Sequence, residues 1–78
     1  MTTEENLNQV FRTVFDDTTI QIRPDMTAND IEGWDSLSHV NLILAVESAF
    51  GITFGQKEIL SFRNIGHMMR SIEDKVRG

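Results

Sequence analysis

The chain of 78 residues has no cysteine, only two histidines and a single proline. Without cysteine it can form neither a disulfide framework nor a thiolate metal site, so stability must come from packed Leu, Ile, Val, Phe and Met. The same absence is compatible with the cytoplasm, where we expect the protein to reside. His39 and His67 lack H-x-x-x-H spacing, which argues against a transition-metal centre. No apolar run approaches the roughly 20 residues of a membrane span, and the polar N-terminal stretch lacks a signal-peptide core. There is no glycine-rich phosphate loop. No G-x-S-x-G elbow surrounds Ser36, and His39, three residues further along one helix, is poorly placed as its base. The acidic run that begins at Asp25 fails as a calcium loop. Asp30 stands where glycine is required at the sixth position, and Ser36 stands where the twelfth needs glutamate.

What is present is acid, and it is unevenly placed. The net charge is −5. Residues 1–36 hold eight acids against two bases, whereas residues 37–78 hold four against five. A nucleic-acid partner is excluded on this balance, because phosphate binding needs a basic footprint. Six of the acids fall between Asp16 and Asp35, a surface suited to steering basic partners towards Asp35. At this length the chain reads as one small domain spanning residues 1–78, near the lower limit for a single apolar core.

The apolar spacing predicts three main helices and a short one. Leu7, Val10, Phe11, Val14 and Phe15 make a core-facing stripe, preceded by a Thr2–Glu5 capping box and ended by Asp16-Asp17. Residues 16–35 lack helical periodicity and read as a long loop, with Pro24 and Gly33 at bends and Ile20, Ile22, Met26 and Ile31 pinned to the core. A second helix is expected from Ser36 to Phe50, with Gly51 supplying the left-handed closing position and Ile52 packing back. Gln56–Leu60 reads as a short turn of helix. The last helix begins at the N-cap Asn64 and buries Ile65, Met68, Met69, Ile72 and Val76. The fold class is therefore all-α, a small four-helix bundle with a long first loop. The four methionines are expected to fill core gaps. Trp34 either seals the loop against the bundle or serves as a surface anchor.

The second helix carries more apolar surface than one face needs. Leu42, Ile43, Val46, Ala49 and Phe50 fall within about 120° of one another and form the core arc. Leu37, Val40 and Leu44 make a separate stripe, bordered by Asn41 and Ser48, with Glu47 near Val40. That stripe either packs under the long loop or is left for partners or an apolar chain; the sequence leaves both readings open.

The stripe begins directly after Ser36, in the segment Gly33-Trp34-Asp35-Ser36-Leu37-Ser38-His39-Val40. A group at a helix start lies among unpaired N–H groups and at the positive end of the helix dipole, which favours an anion such as a phosphate ester. The bland alternative is that Ser36 or Asp35 is simply the N-cap.

This segment closely resembles the attachment site of acyl carrier proteins, in which the serine of an Asp-Ser-Leu motif bears a 4′-phosphopantetheine arm. The resemblance extends to Glu47, Phe50 and Gly51-Ile52 at the end of the second helix and to Phe62-Arg63-Asn64-Ile65 at the start of the fourth. It implies a non-catalytic carrier, modified at Ser36 by a phosphopantetheinyl transferase using coenzyme A. The arm would hold acyl groups as thioesters for loading, elongating or transferring enzymes with basic docking patches. Partner contacts are then expected from Asp35, Leu37, Val40, Asn41, Leu44 and Glu47, on a monomer. One departure stands out: carriers of primary fatty-acid synthesis usually have more acids on the second helix, where this chain has only Glu47. That favours polyketide, modified-lipid or other specialised acyl biosynthesis over a general fatty-acid role. A D-alanyl or peptidyl carrier is the alternative, although peptidyl carriers usually place Gly-Gly where Trp34-Asp35 stands. An unmodified helical adaptor using Leu37, Val40 and Leu44 is the alternative of another class.

Overall fold

The computed structural model describes residues 2–77, and among these it contains helices and turns but no strand. The four α-helices are α1 (Thr3–Val14), α2 (Ser36–Phe50), α3 (Gln56–Ser61) and α4 (Ile65–Arg77). The capping box at α1 forms as expected: the Glu5 N–H donates to Thr2 Oγ1 at 3.1 Å, and the Thr2 N–H donates to Glu5 Oε1 at 3.3 Å. The far end closes by backbone geometry rather than by dipole repulsion of the two acids. Asp16 takes a left-handed conformation, φ 50°, so that the Asp17 N–H returns to the Arg12 carbonyl at 3.0 Å. Aspartate fills a position where glycine is usual, which its short polar side chain tolerates.

Leu7 and Phe11 of α1 are fully buried, and α1 packs against both α2 and α4. From α2 the core takes Leu42, Ile43 and Val46, and from α4 it takes Ile65, Met68 and Ile72. Two stripes are narrower than their periodicity suggests. Ala49 is exposed, at the edge of its arc on the seam between α1 and α2, and Phe50 is half-buried. Val76 is exposed in the last turn of α4, and Met69 is half-buried. Met26 and Met68 fill the core, whereas Met1 lies outside the described residues. At the end of α2, Gly51 has φ 65° and ψ 38°, and the Ile52 N–H reaches the Glu47 carbonyl at 3.1 Å. No helix among the described residues is long and apolar enough to cross a membrane.

Residues 15–35 connect α1 to α2, with Ile20, Ile22, Met26 and Ile31 buried as anchors. Apolar anchoring alone would leave backbone groups unpaired, and polar contacts complete it. Buried Asn8 of α1 accepts from the Ile22 N–H at 2.8 Å and donates to the Ile20 carbonyl at 3.3 Å. Arg12 Nε donates to that same carbonyl at 2.7 Å. Further on, a 3₁₀ turn at Ala28–Asp30, which periodicity does not reveal, is capped by Thr27 and Asp30 in a T-x-x-D arrangement.

The loop also caps α4. The Ile65 N–H donates to the Met26 carbonyl at 2.9 Å, the Gly66 N–H to the Pro24 carbonyl at 2.8 Å, and the His67 N–H to Asn64 Oδ1 at 2.8 Å. Three N–H groups that a helix start leaves unpaired are thereby satisfied. This close approach requires Gly66. A Cβ there would lie 2.9 Å from the Pro24 carbonyl oxygen and 3.1 Å from Pro24 Cβ. Gly66→Ala would gain up to about 1 kcal/mol of helix propensity, but forcing the loop away should cost about 1–3 kcal/mol. The variant should therefore be less stable in urea unfolding. Equal or greater stability would show that the loop yields freely at this contact.

Candidate functional site

Ser36 is the first residue of α2 and is exposed. It does not cap its own helix. Asp35 does so, with Oδ1 accepting from the Ser38 N–H at 2.9 Å. That bond is the main reason the Asp35 carboxyl is held below its ordinary pKa of 3.8. The Ser38 hydroxyl in turn donates to the Gly33 carbonyl at 2.7 Å. Gly33 has φ 87°, a conformation that a side chain would strain. This turn presents Ser36 at the corner where loop becomes helix.

Beyond Ser36 the second apolar stripe of α2 faces outward. Leu37 is 79% exposed, Val40 54% and Leu44 59%, and Asn41 is exposed beside them. The loop does not cover this stripe. On α3, Leu60 is 80% exposed, a second apolar side chain near the same corner. Glu47 behaves differently from the rest. It is half-buried, and its Oε2 accepts from the Phe54 N–H at 2.7 Å, so the single acid of α2 also braces the connection to α3.

Ser36 borders a cleft of about 550 Å³. Trp34, His39 and Val40 line it from the loop and α2; Ile59, Leu60 and Phe62 line it from α3 and its exit. Asp35, Arg63 and Asn64 add polar groups. Trp34 is half-buried and seals the loop against the bundle, its ring meeting Phe11 edge-on at a centroid distance of 5.3 Å. Its indole Nε1–H donates to His39 Nδ1 at 3.1 Å. Because indole can only donate, Nδ1 must accept, and the proton of the neutral ring lies on Nε2. That nitrogen is 3.0 Å from the Ile59 carbonyl oxygen, to which it donates. The histidine nearest Ser36 is thus committed on both ring nitrogens to holding loop, α2 and α3 together, and is not a free base.

The far side of α3 is tied to α4. Glu58 Oε1 accepts from the Gly55 N–H at 2.9 Å and from Lys75 Nζ at 2.9 Å. Lys75 Nζ also lies 5.6 Å from the centroid of the Phe54 ring. The Gly55 bond first, and the Lys75 ammonium second, hold the Glu58 carboxyl below its ordinary value of 4.5.

Spacing along the chain brings Asp35, Ser36, Leu37, Val40, Asn41 and Leu44 to one corner and the adjoining face. The residues that sequence reasoning missed are Ile59, Leu60, Phe62 and Arg63, contributed by another element. The available signal for them was the surplus apolar character of Ile59-Leu60 in so short a helix.

No family model matches the chain, and no curated protein matches it. Among solved structures it is similar to the solution structure of a holo acyl carrier protein from Geobacter metallireducens. The two share 39% sequence identity and superpose with a TM-score of 0.91, over 99% of this chain and 88% of the other.

The ion pair behind the cleft sets an acid limit on stability. Glu58 has a lowered pKa in the fold, so its contribution is present above the ordinary glutamate value of 4.5 and is lost as the pH falls through the lowered one. Thermal melts should therefore show declining stability on acidification below that value. Glu58→Gln, which can still accept from the Gly55 N–H, should flatten part of the decline. An unchanged slope in the variant would mean that other carboxylates carry the effect.

Proposed function

The chain belongs to the acyl carrier protein family, and from that premise we propose that Ser36 bears a 4′-phosphopantetheine arm holding acyl groups as thioesters. A phosphopantetheinyl transferase would install the arm from coenzyme A. In that step the Ser36 oxygen attacks the phosphorus bearing the pantetheine, and the pyrophosphate linkage breaks. Adenosine 3′,5′-bisphosphate leaves, and the serine proton passes to a base on the transferase. The observation that carries this reading is the division of labour at the corner: Asp35 caps α2, so Ser36 is exposed and free of that duty. The resulting phosphodiester would sit at the positive end of the α2 dipole. A thioester on the arm raises the local concentration of the acyl group at each enzyme in turn, which suffices for a carrier that performs no chemistry.

The partner surface is proposed to be Leu37, Val40, Asn41 and Leu44, with Asp35 steering basic patches towards Ser36. Glu47 contributes less to steering, because its carboxylate is engaged with the Phe54 N–H. An α2 with so little outward acid supports a specialised acyl pathway, such as polyketide or modified-lipid synthesis, over general fatty-acid synthesis. We further propose that residues 1–78 act as one monomeric carrier domain in the cytoplasm.

Two measurements test the carrier and its surface. Incubation with coenzyme A and a broad-specificity transferase should add one phosphopantetheine by intact mass, and Ser36→Ala should add none. A wild-type chain that stays unmodified would instead support the adaptor reading, with the exposed stripe as its docking surface. For the stripe, Leu42→Ala should destabilise the fold by roughly 2–4 kcal/mol. Leu37→Ala should cost about 1 kcal/mol or less while slowing transfer by partner enzymes. If the Leu37 variant melts normally and is processed normally, the stripe is not a docking surface.

A further inference from the structure

The hydrogen bonds that His39 makes at the cleft depend on its charge. As a neutral ring with its proton on Nε2, it accepts from Trp34 and donates to the Ile59 carbonyl, at 3.1 and 3.0 Å. As an imidazolium it can still donate to Ile59, but its Nδ1–H then meets the indole N–H, donor against donor. The two rings lie only 19° from parallel with centroids 6.0 Å apart, the arrangement of an edge-to-edge hydrogen bond. Protonation therefore cuts the link between the loop wall of the cleft and the α3 wall. Both walls also rest on the common core, against which Trp34, Ile59 and Phe62 pack, so release of the link loosens the cleft without unfolding it.

Several charges bear on that ring. The Asp35 carboxylate and the Arg63 guanidinium line the same cleft, with opposite effects on an imidazolium. On α3, Lys57 is exposed, and Glu58 is engaged with Gly55 and Lys75. From α1, the uncharged rings of Phe11 and Phe15 meet the ring's partner Trp34. Ser36 lies three residues before His39 on one helix, a spacing that brings side chains to about 5–6 Å. A phosphodiester on Ser36 would thus be the nearest new charge, and a negative one.

We propose that the Trp34–His39–Ile59 link is a charge-sensitive clamp on the cleft beside Ser36, closed by the neutral imidazole and released by the imidazolium. Acidification releases it directly. Modification of Ser36 shifts it towards release at a given pH, because the phosphodiester stabilises the imidazolium. The second statement rests on the carrier reading above, whereas the first does not. At a given pH the clamp leaves the unmodified protein closed more often than the modified one, and it thereby couples attachment of the arm to an opening of the surface the arm would lie against.

The test is a pH titration by NMR and by fluorescence of Trp34, the only tryptophan, in a His67→Gln background that leaves His39 as the only histidine. At high pH the His39 ring nitrogens should show the Nε2-protonated tautomer. As the ring titrates, the Trp34 indole proton should lose its hydrogen-bonded shift and exchange with solvent at least tenfold faster than in His39→Gln at the same pH. His39→Gln should show no such step. Trp34→Phe keeps the ring packing but removes the donor, so it should raise the His39 midpoint. Phosphopantetheinylated protein should also titrate higher than unmodified protein, by about half a pH unit for a unit charge at this distance. An Nδ1-protonated tautomer, an indole proton indifferent to His39 titration, or a midpoint unmoved in Trp34→Phe would overturn the clamp. An equal midpoint with and without the arm would overturn the coupling alone. If Ser36 takes no arm the carrier reading fails, while titration of the unmodified protein still decides the clamp.

Discussion

The carbonyls of Pro24 and Met26 accept from the first two N–H groups of α4, and the position of Ser36 depends on that closure. A helix start and a long irregular segment each have unpaired backbone groups, and here each satisfies the other. The same segment is gripped just upstream, at Ile20 and Ile22, by Asn8 and Arg12 of α1. Held at these points and anchored further on by buried Ile31, it delivers Gly33 and Trp34 to the start of α2.

The helices were legible because their ends are written locally. Thr2 with Glu5, Asn64, and Gly51 each act within a few residues, and the buried stripes of α1 and α4 repeat at helical spacing. The place of Ser36 at the start of α2 was legible for the same reason, since Asp35-Ser36-Leu37 is contiguous with that helix start. Long-range placements were not legible. Asn8 reads as an ordinary polar helix residue until Ile22 meets it, and Gly66 reads as a weak point in α4 until Pro24 approaches. The walls of the cleft come from segments far apart in the sequence, and no periodicity links Trp34 to Ile59. Glu47 was misleading in another way: its charge suggests an outward role, yet the unpaired Phe54 N–H draws it in.

Charge and apolar surface are divided around Ser36 in a way that suits a domain handled by several enzymes in turn. Acids crowd the loop before it, while the face of α2 after it is apolar and polar but almost uncharged. Long-range attraction can bring a basic patch to Asp35 and Glu32 without fixing what it must touch. On the proposed docking surface, discrimination would then fall to Leu37, Val40, Asn41 and Leu44, whose contacts depend on shape and act only at close range. A helix studded with acids would serve any sufficiently basic partner. An α2 that keeps its single acid folded against Phe54 would ask instead for a complementary surface, and this is the physical argument behind the proposal of a dedicated set of partners.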